Sequence, residues 1–276
     1  MRQAEPFVRT EQSNHIALFQ LQAWIQQFPF LTAGMTSRHG GISKAPYDSL
    51  NLGLHVGDAA EDVVANRSAL AAAIGLPFEA CTFAEQVHGN EVSMVSSVER
   101  GKGRTDKDDS IRNVDALITA EPDTCLCLMY ADCVPLYFID PIRQVIAVSH
   151  AGWKGTAQNI VGTTINKMVE HYGCDPSDIK AAIGPSIGEC CYEVNQEVVD
   201  KMAVHISPVV RPSRNPDKYM MNLQEINRLF MIKAGILSSN IEISKLCTSC
   251  HKDDFYSYRA EGGTTGRMIA WLAIRG

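Results

Sequence analysis

Residues 131–150 read Ala131-Asp-Cys-Val-Pro-Leu-Tyr-Phe-Ile-Asp140-Pro-Ile-Arg-Gln-Val-Ile-Ala-Val-Ser-His150. Two β-rich runs flank Asp140-Pro141-Ile142-Arg143, and aspartate followed by proline is a type I turn signature. With the turn at 140–143, the strands pair antiparallel and paired position numbers sum to 283. Cys133 and His150 then face each other at the open end of the hairpin, on one face of the sheet. Directly opposed residues hold their Cβ atoms roughly 4.5–5.5 Å apart, which suits two ligands of one metal ion. Pro135 and the turn type leave the register open, because a bulge would shift the pairing.

Outward from the hairpin, Ala151-Gly-Trp-Lys-Gly155 makes a strand-end loop, where functional side chains gather. A third ligand is offered by His88 in Glu85-Gln-Val-His-Gly-Asn90, a strand-to-strand loop whose adjacent glycine lets the backbone aim the ring. Two imidazoles and a thiolate, with a fourth position free for water, describe a catalytic rather than a structural zinc. Such an ion brings the pKa of bound water towards neutrality. The same three donors would hold copper tightly.

Short β-type runs lie at 16–21, 91–95, 114–119, 125–130, 136–140, 144–149, 179–183, 241–246 and 268–274. Apolar spacing predicts helices over 60–74, ending at Gly75, over 156–172, ending before Gly173, and from Asn222 to about Ala234, stopped by Gly235. Strands often follow strands directly, so the fold expected is α+β with mixed β-sheets, not Rossmann. The polar stretch 99–113 reads as a solvated loop that interrupts a domain.

Composition bounds the function. The chain has 276 residues, 45% hydrophobic and 20% charged, with a net charge of −6 and no basic block. The electrostatic footprint of a nucleic-acid binder is absent, so no nucleic-acid partner is expected. No window approaches the roughly 18 uninterrupted apolar residues of a membrane span, and no membrane partner is expected. Met1–Phe7 carries no apolar leader core, and nine cysteines then imply reduced thiols in a cytoplasmic setting. An odd count excludes a fully paired intramolecular framework. Cys125 and Cys127, in an apolar run, read as inert core thiols.

Several motifs point elsewhere and fail. Cys247-Thr-Ser-Cys250-His251 has haem c attachment spacing, but attachment belongs to an exported setting. A four-ligand structural zinc would need a second Cys/His pair, and the adjacent Cys190-Cys191 is a poor second half, so these read as a thiol cluster or plain structural cysteines. The His-x-Glu and Pro-Cys-x-x-Cys deaminase signature is missing. No His-x-His occurs, which leaves a multicopper cluster unsupported. Gly262-Gly-Thr-Thr-Gly266 lacks phosphate-loop spacing. Ser37-Arg38-His-Gly-Gly41 is more suggestive, because paired glycines let N–H groups converge on an anion and Arg38 can clamp it. Arg67, on the 60–74 helix beside Asn66, reads by itself as a surface charge.

The motifs Thr36-Ser-Arg-His-Gly-Gly-Ile-Ser43, Ser49-Leu-Asn-Leu-Gly53, His55-Val-Gly-Asp58, Asn66-Arg67, Gln86-Val-His-Gly89, Ala131-Asp-Cys-Val-Pro135, His150-Ala-Gly-Trp-Lys-Gly155, Ile183-Gly-Pro-Ser-Ile-Gly188, Cys247-Thr and Phe255-Tyr-Ser-Tyr-Arg259 occur in one order. Together they resemble the YfiH/YlmD family, the laccase-domain proteins described as purine nucleoside phosphorylases. The resemblance runs from about residue 30 to the end. It implies one laccase-like domain over 1–276, with 1–29 as an N-terminal strand region, and an α/β/β/α-like sandwich of sheets and helices. It implies zinc at His88, Cys133 and His150, the set that spacing had suggested. It further implies phosphorolysis of adenosine, inosine, guanosine and methylthioadenosine, with purine nucleosides and phosphate as partners, and deamination of adenosine. Arg38 and Arg67 are then the candidate anion-binding residues and Asn51 a polar substrate contact. Lys154 departs from the family, which more often has arginine there, and a point charge replaces a fork. Asp132 adjoins a ligand, but strand alternation points it to the other face.

Two further classes stay open on sequence. Cys133 and His150 also make a thiolate–imidazolium pair suited to a cysteine hydrolase or deamidase. A zinc-stabilised interaction module would use the same ligands in a closed site.

Overall fold

Strands whose residues are buried on both faces need cover on both sides. The central strands here are of that kind: every residue of Val134–Asp140, Val145–Ala151 and Met268–Ile274 is buried. The computed structural model describes residues 4–12, 15–202 and 209–276. One six-stranded sheet runs in the order β1 (Phe7–Glu11), β2 (Ala17–Leu21), β3 (Leu31–Thr36), β15 (Met268–Ile274), β7 (Thr124–Tyr130), β4 (Cys81–Phe83). The second runs β14 (Ile241–Ile243), β10 (Lys180–Ile183), β8 (Val134–Asp140), β9 (Val145–Ala151), β6 (Ala116–Thr119), β5 (Val92–Met94). A small third sheet joins β11 (Glu193–Asn195), β13 (Lys218–Met221) and β12 (Val210–Pro212). Both large sheets are mixed, since β4–β7, β10–β14 and β5–β6 are parallel pairs among antiparallel ones.

The two large sheets pack face to face. Leu126, Leu128, Ala270 and Leu272 of the first meet Tyr137, Ile139, Ile146 and Val148 of the second in one cluster. The outer face of the second sheet, with Leu136, Phe138 and Ala147, is covered by α4 (Ile160–Tyr172) and α6 (Leu223–Lys233) through Ile165, Met168, Ile226 and Phe230. The outer face of the first, with Cys125, Cys127 and Trp271, is covered by α2 (Ala60–Ala73) through Leu70 and Ala71. The result is the α/β/β/α layering that the resemblance implies. Each large side chain fully buried here contributes roughly 1.5–3 kcal/mol, so Phe138→Ala in the middle layer costs about 3–5 kcal/mol once its cavity is included. Three short helices, α1 (Gln22–Gln27), α3 (Trp153–Ala157) and α5 (Gln196–Asp200), complete the set among the described residues. Among the described residues no helix is long and apolar enough to cross a membrane.

Two local readings are corrected. The hairpin turn takes Pro141–Gln144 rather than 140–143: Asp140 pairs with Val145, and paired numbers sum to 285, not 283. Gln144 adopts φ 53°, and the Asp140 carboxylate accepts the N–H groups of Ile142 and Arg143 at 2.9 Å, so the aspartate closes a wider turn. His150 therefore faces Pro135, and Cys133 precedes β8. The slip is an even number of residues, so the two ligands keep the same face and become diagonal neighbours. The helix expected over 156–172 is broken. Asn159 takes φ 58° and caps Gly162 N with its side chain at 3.1 Å, which ends α3 and starts α4.

Candidate metal centre and its cavity

His150 lies near the end of β9, Cys133 just before β8, and His88 in the loop between β4 and β5. Their ligand atoms all lie within 4.8 Å of one another. One fully buried carboxylate organises the group. Asp115, just before β6, accepts the N–H groups of Val87 (3.2 Å), His88 (3.0 Å) and Gly89 (2.7 Å), and lies 2.8 Å from His150 Nδ1. Its own carbonyl accepts His150 N at 2.7 Å. Asp115 thus fixes the loop that carries one histidine and the ring of the other, and leaves His150 Nε2 as the donor nitrogen. These bonds hold His88 at φ 61°.

Two glycines admit this approach. A Cβ on Gly152 would lie 3.1 Å from the His88 ring and 3.2 Å from Cys133 Sγ; one on Gly155 would lie 2.7 Å from the Gly89 carbonyl. The Ala-Gly-Trp-Lys-Gly loop is packed directly on the His88 loop.

The charges support a cation. Burial pushes the Cys133 thiol up, but His150 and His88 outweigh it and bring the thiol down to about 6. Burial pushes His150 down, but the Cys133 thiolate and Asp115 outweigh it and raise the imidazole to about 9. Burial likewise raises Asp115, and His150 with the Gly89 and Val87 N–H groups holds it below the usual carboxylate range. Without a metal the site is a carboxylate–imidazolium–thiolate array, and a bound cation takes the place of the proton.

The trio lines a cavity of about 1010 Å³. Six cations line it, Arg67, Lys107, Lys154, Lys218, Arg259 and Arg267, with Glu85, Asp108, Asp132 and Glu193. Two of those acids are engaged by the chain itself. Asp132 accepts Thr248 Oγ1 and Arg259 N, each at 2.7 Å. Glu193 accepts Ser213 Oγ and Asn215 Nδ2. In a chain of net charge −6 the cavity is a local cationic region. The segment 99–113 is more than a solvated loop: Gly103, Lys107, Asp108 and Ser110 form part of this wall.

Arg67 is 2% exposed and donates only to neutral groups: the carbonyls of Leu52 (2.8 Å), Gly103 (2.7 Å) and Arg104 (3.1 Å), and Met129 Sδ. Its guanidinium lies 3.8 Å from the Phe83 ring centroid. Burial lowers its pKa to about 9. Arg267 donates to the carbonyls of Thr265 and Gly266. Neither arginine has a carboxylate partner among the described residues. Asn51 does not line the cavity. It is fully buried, and its Oδ1 accepts Arg267 N at 2.9 Å, so it acts as a brace for that arginine. Arg38 lies in a separate recess with His39, Asp48, Lys252, Asp253, Ala260 and Glu261. There it pairs with Glu261 at 2.8 Å and donates to the carbonyls of Asp48 and Lys252.

Sequence reasoning missed Asp115 and Arg267, and gave His55 no role although it stands in a quoted motif. Asp115 had a signal, an acid at the head of the apolar run Ala-Leu-Ile-Thr. His55 lines the cavity, and enclosure, then Arg267 and Arg67, lowers it to about 4, so its ring is neutral near pH 7.

The family described as multi-copper polyphenol oxidoreductase laccase matches residues 32–275. The chain belongs to that family. Among its family relatives, the purine nucleoside phosphorylase YlmD of Geobacillus stearothermophilus is 42% identical over 267 residues, 94% of this chain and 97% of the relative. The YlmD of Bacillus subtilis is 39% identical over 245 residues, 88% of each chain. The crystal structure of the Geobacillus YlmD matches with a TM-score of 0.93 and 40% identity, over 99% of this chain and 100% of that one. The family description speaks of several coppers, whereas among the described residues one group mixes histidine and cysteine donors. That group is compatible with one metal ion, and its donors alone do not choose between zinc and copper.

Proposed function

We propose that the chain is a zinc-dependent purine nucleoside phosphorylase acting on adenosine, inosine, guanosine and methylthioadenosine, with adenosine deaminase activity in the same cavity. In this reading residues 1–276 form one domain, and the partners are purine nucleosides and phosphate. The observation that carries it is the pairing, in one cavity, of the His88/Cys133/His150 trio with Arg67 and Arg267, which have no carboxylate partner among the described residues. The names of the relatives supply the substrate class.

Phosphorolysis joins a phosphate oxygen to C1′ of the ribose, breaks the bond from C1′ to the purine nitrogen, and leaves negative charge on the departing base. The chain's task is to hold an anion beside a flat, partly apolar group. Arg67 and Arg267 are preorganised by carbonyls that orient them, and no carboxylate among the described residues forms an ion pair with either, so both can take up a phosphate. Trp153, Tyr192 and Tyr258 give the cavity ring faces for the base. The neutral His55 offers one donor and one acceptor to the nucleoside. Asp115 holds the two histidines in place throughout. A bound zinc would be held by His88, Cys133 and His150 and would supply Lewis acidity and a water of lowered pKa.

A second reading has its own support. The Cys133 thiol at about 6 beside His150 at about 9 is an activated nucleophile if no metal is bound. The test incubates zinc-loaded protein and Cys133→Ala with adenosine, with and without phosphate, and separates the products. Adenine and ribose 1-phosphate formed only with phosphate, or inosine formed without it, both lost in the variant, are expected. No turnover of adenosine, inosine or methylthioadenosine by the intact protein would overturn the proposal. Metal-free protein that is active and inactivated by iodoacetamide would replace it with the cysteine-nucleophile reading.

A further inference from the structure

The pair Cys190-Cys191 and the pair Cys247/Cys250 are far apart in sequence, yet the fold brings all four sulfurs together. An isolated parallel bridge joins Ser186 to Cys247, and Ser186 N and Thr248 N bond across it. Beyond the bridge each segment turns back. Cys191 N and Tyr192 N both donate to the Gly188 carbonyl, and His251 N donates to the Cys247 carbonyl. Cys250 Sγ lies 3.5 Å from Cys190 Sγ and 3.4 Å from Cys191 Sγ, and all four sulfurs lie within 4.8 Å of one another. All four are free thiols.

We infer that Cys190, Cys191, Cys247 and Cys250 form a second metal site, a structural zinc bound by four thiolates, separate from the His88/Cys133/His150 trio. Zn–S bonds near 2.3 Å put the sulfurs of a tetrahedron about 3.8 Å apart, and the spacing here needs only small rotations to meet it. The Gly188 N–H already donates to Cys247 Sγ at 3.2 Å, the kind of bond that favours a thiolate. Soft thiolates in a closed tetrahedral set of four suit zinc and leave no position for substrate. Adjacency of Cys190 and Cys191 is no obstacle, because the turn at Gly188–Cys191 aims both side chains at Cys250.

The site has a structural task. The first loop leads into Tyr192, Glu193, Val194 and Asn195, which line the large cavity, and the second leads into Tyr258 and Arg259, which line it as well. Arg259 Nη1 already spans them, donating to the Cys191 and Glu193 carbonyls. A zinc at the four sulfurs pins one cavity wall to the other. This holds whatever reaction the cavity performs.

The test uses full-length Cys133→Ala, which removes a ligand of the trio and leaves the four cysteines intact. Exposed to zinc and dialysed under reducing conditions, it is expected to retain about one zinc per chain, with an X-ray absorption shell of four sulfurs near 2.3 Å. Added Cys190→Ser and Cys250→Ser are expected to remove that zinc and to speed amide hydrogen exchange over 188–195. Failure to retain zinc in Cys133→Ala, a shell containing nitrogen or oxygen, or zinc that survives Cys190→Ser and Cys250→Ser would each overturn the inference. The absorption measurement stands alone if the multiple variant does not fold.

Discussion

Arg38 reads in the sequence as an anion clamp and Arg67 by itself as a surface charge, and the family resemblance makes both candidate anion-binding residues. Their surroundings in the fold are opposite. Arg38 lies in a shallow recess and is met by Glu261, a carboxylate 223 residues away along the chain. Arg67 lies at the edge of a large cavity and, among the described residues, is met by carbonyls, a ring face, a thioether and the buried Cys81 and Cys127 thiols, with no carboxylate. An arginine whose counter-charge is built in is part of the scaffold; one held in place but left uncompensated is ready for a ligand. The local sequence of an arginine therefore does not decide its role. The nearest carboxylate does.

The largest expected effect separates the two regions outright. Cys133→Ala in the cavity should lower turnover by at least on the order of a hundredfold in initial-rate assays, whereas Glu261→Ala in the recess should leave the turnover of folded protein near wild type. Comparable losses in both would erase the distinction. Next, Asp115→Asn keeps the shape of the site but weakens the acceptor for His150 and three N–H groups. It should cost about 10–100-fold in metal affinity, read by competition with a chromophoric chelator.

How much of this was legible follows the range of the contacts involved. The helix stops at Gly75, Gly173 and Gly235 were readable because each glycine takes positive φ just past a run of good helix formers, amphipathic in the second and third cases. Cys133 and His150 were readable because one hairpin carries both, even with the register slipped. Asp115 was not singled out, because its partners come from two other segments that meet only once β6 pairs with β9. The three-residue strands β4, β11 and β12 are too short for alternation to register. The four-thiol group was legible only as one of two alternatives, a thiol cluster or plain structural cysteines, because the bridge that assembles it is long-range, as is the Arg38–Glu261 pair.

Two smaller effects sharpen the comparison on its scaffold side. Arg38→Met removes an ion pair and leaves the Asp48 and Lys252 carbonyls without their donor, at roughly 1–3 kcal/mol by urea denaturation. Equal stability would mean that Glu261 is not its counter-charge in solution. The smallest concerns pH. Burial raises Glu261, but the Thr265 hydroxyl, the Ser257 N–H and Arg38 hold it below the ordinary 4.5. A carboxylate depressed in the fold stabilises above its unfolded pKa, and that stabilisation is lost as pH falls through the folded value. Glu261→Gln should therefore shrink the drop in urea midpoint between about pH 7 and about pH 3; an unchanged drop contradicts the assignment.

The most direct measurement is the dependence of nucleoside phosphorolysis on phosphate concentration in zinc-loaded wild type, Arg67→Met and Arg38→Met. The phosphate KM is expected to be at least about tenfold higher in Arg67→Met, equivalent to losing roughly 1.4 kcal/mol of anion binding, and unchanged in Arg38→Met. A phosphate KM that is unmoved by Arg67→Met, or moved equally by both, would contradict the placing of the anion at Arg67 in the cavity.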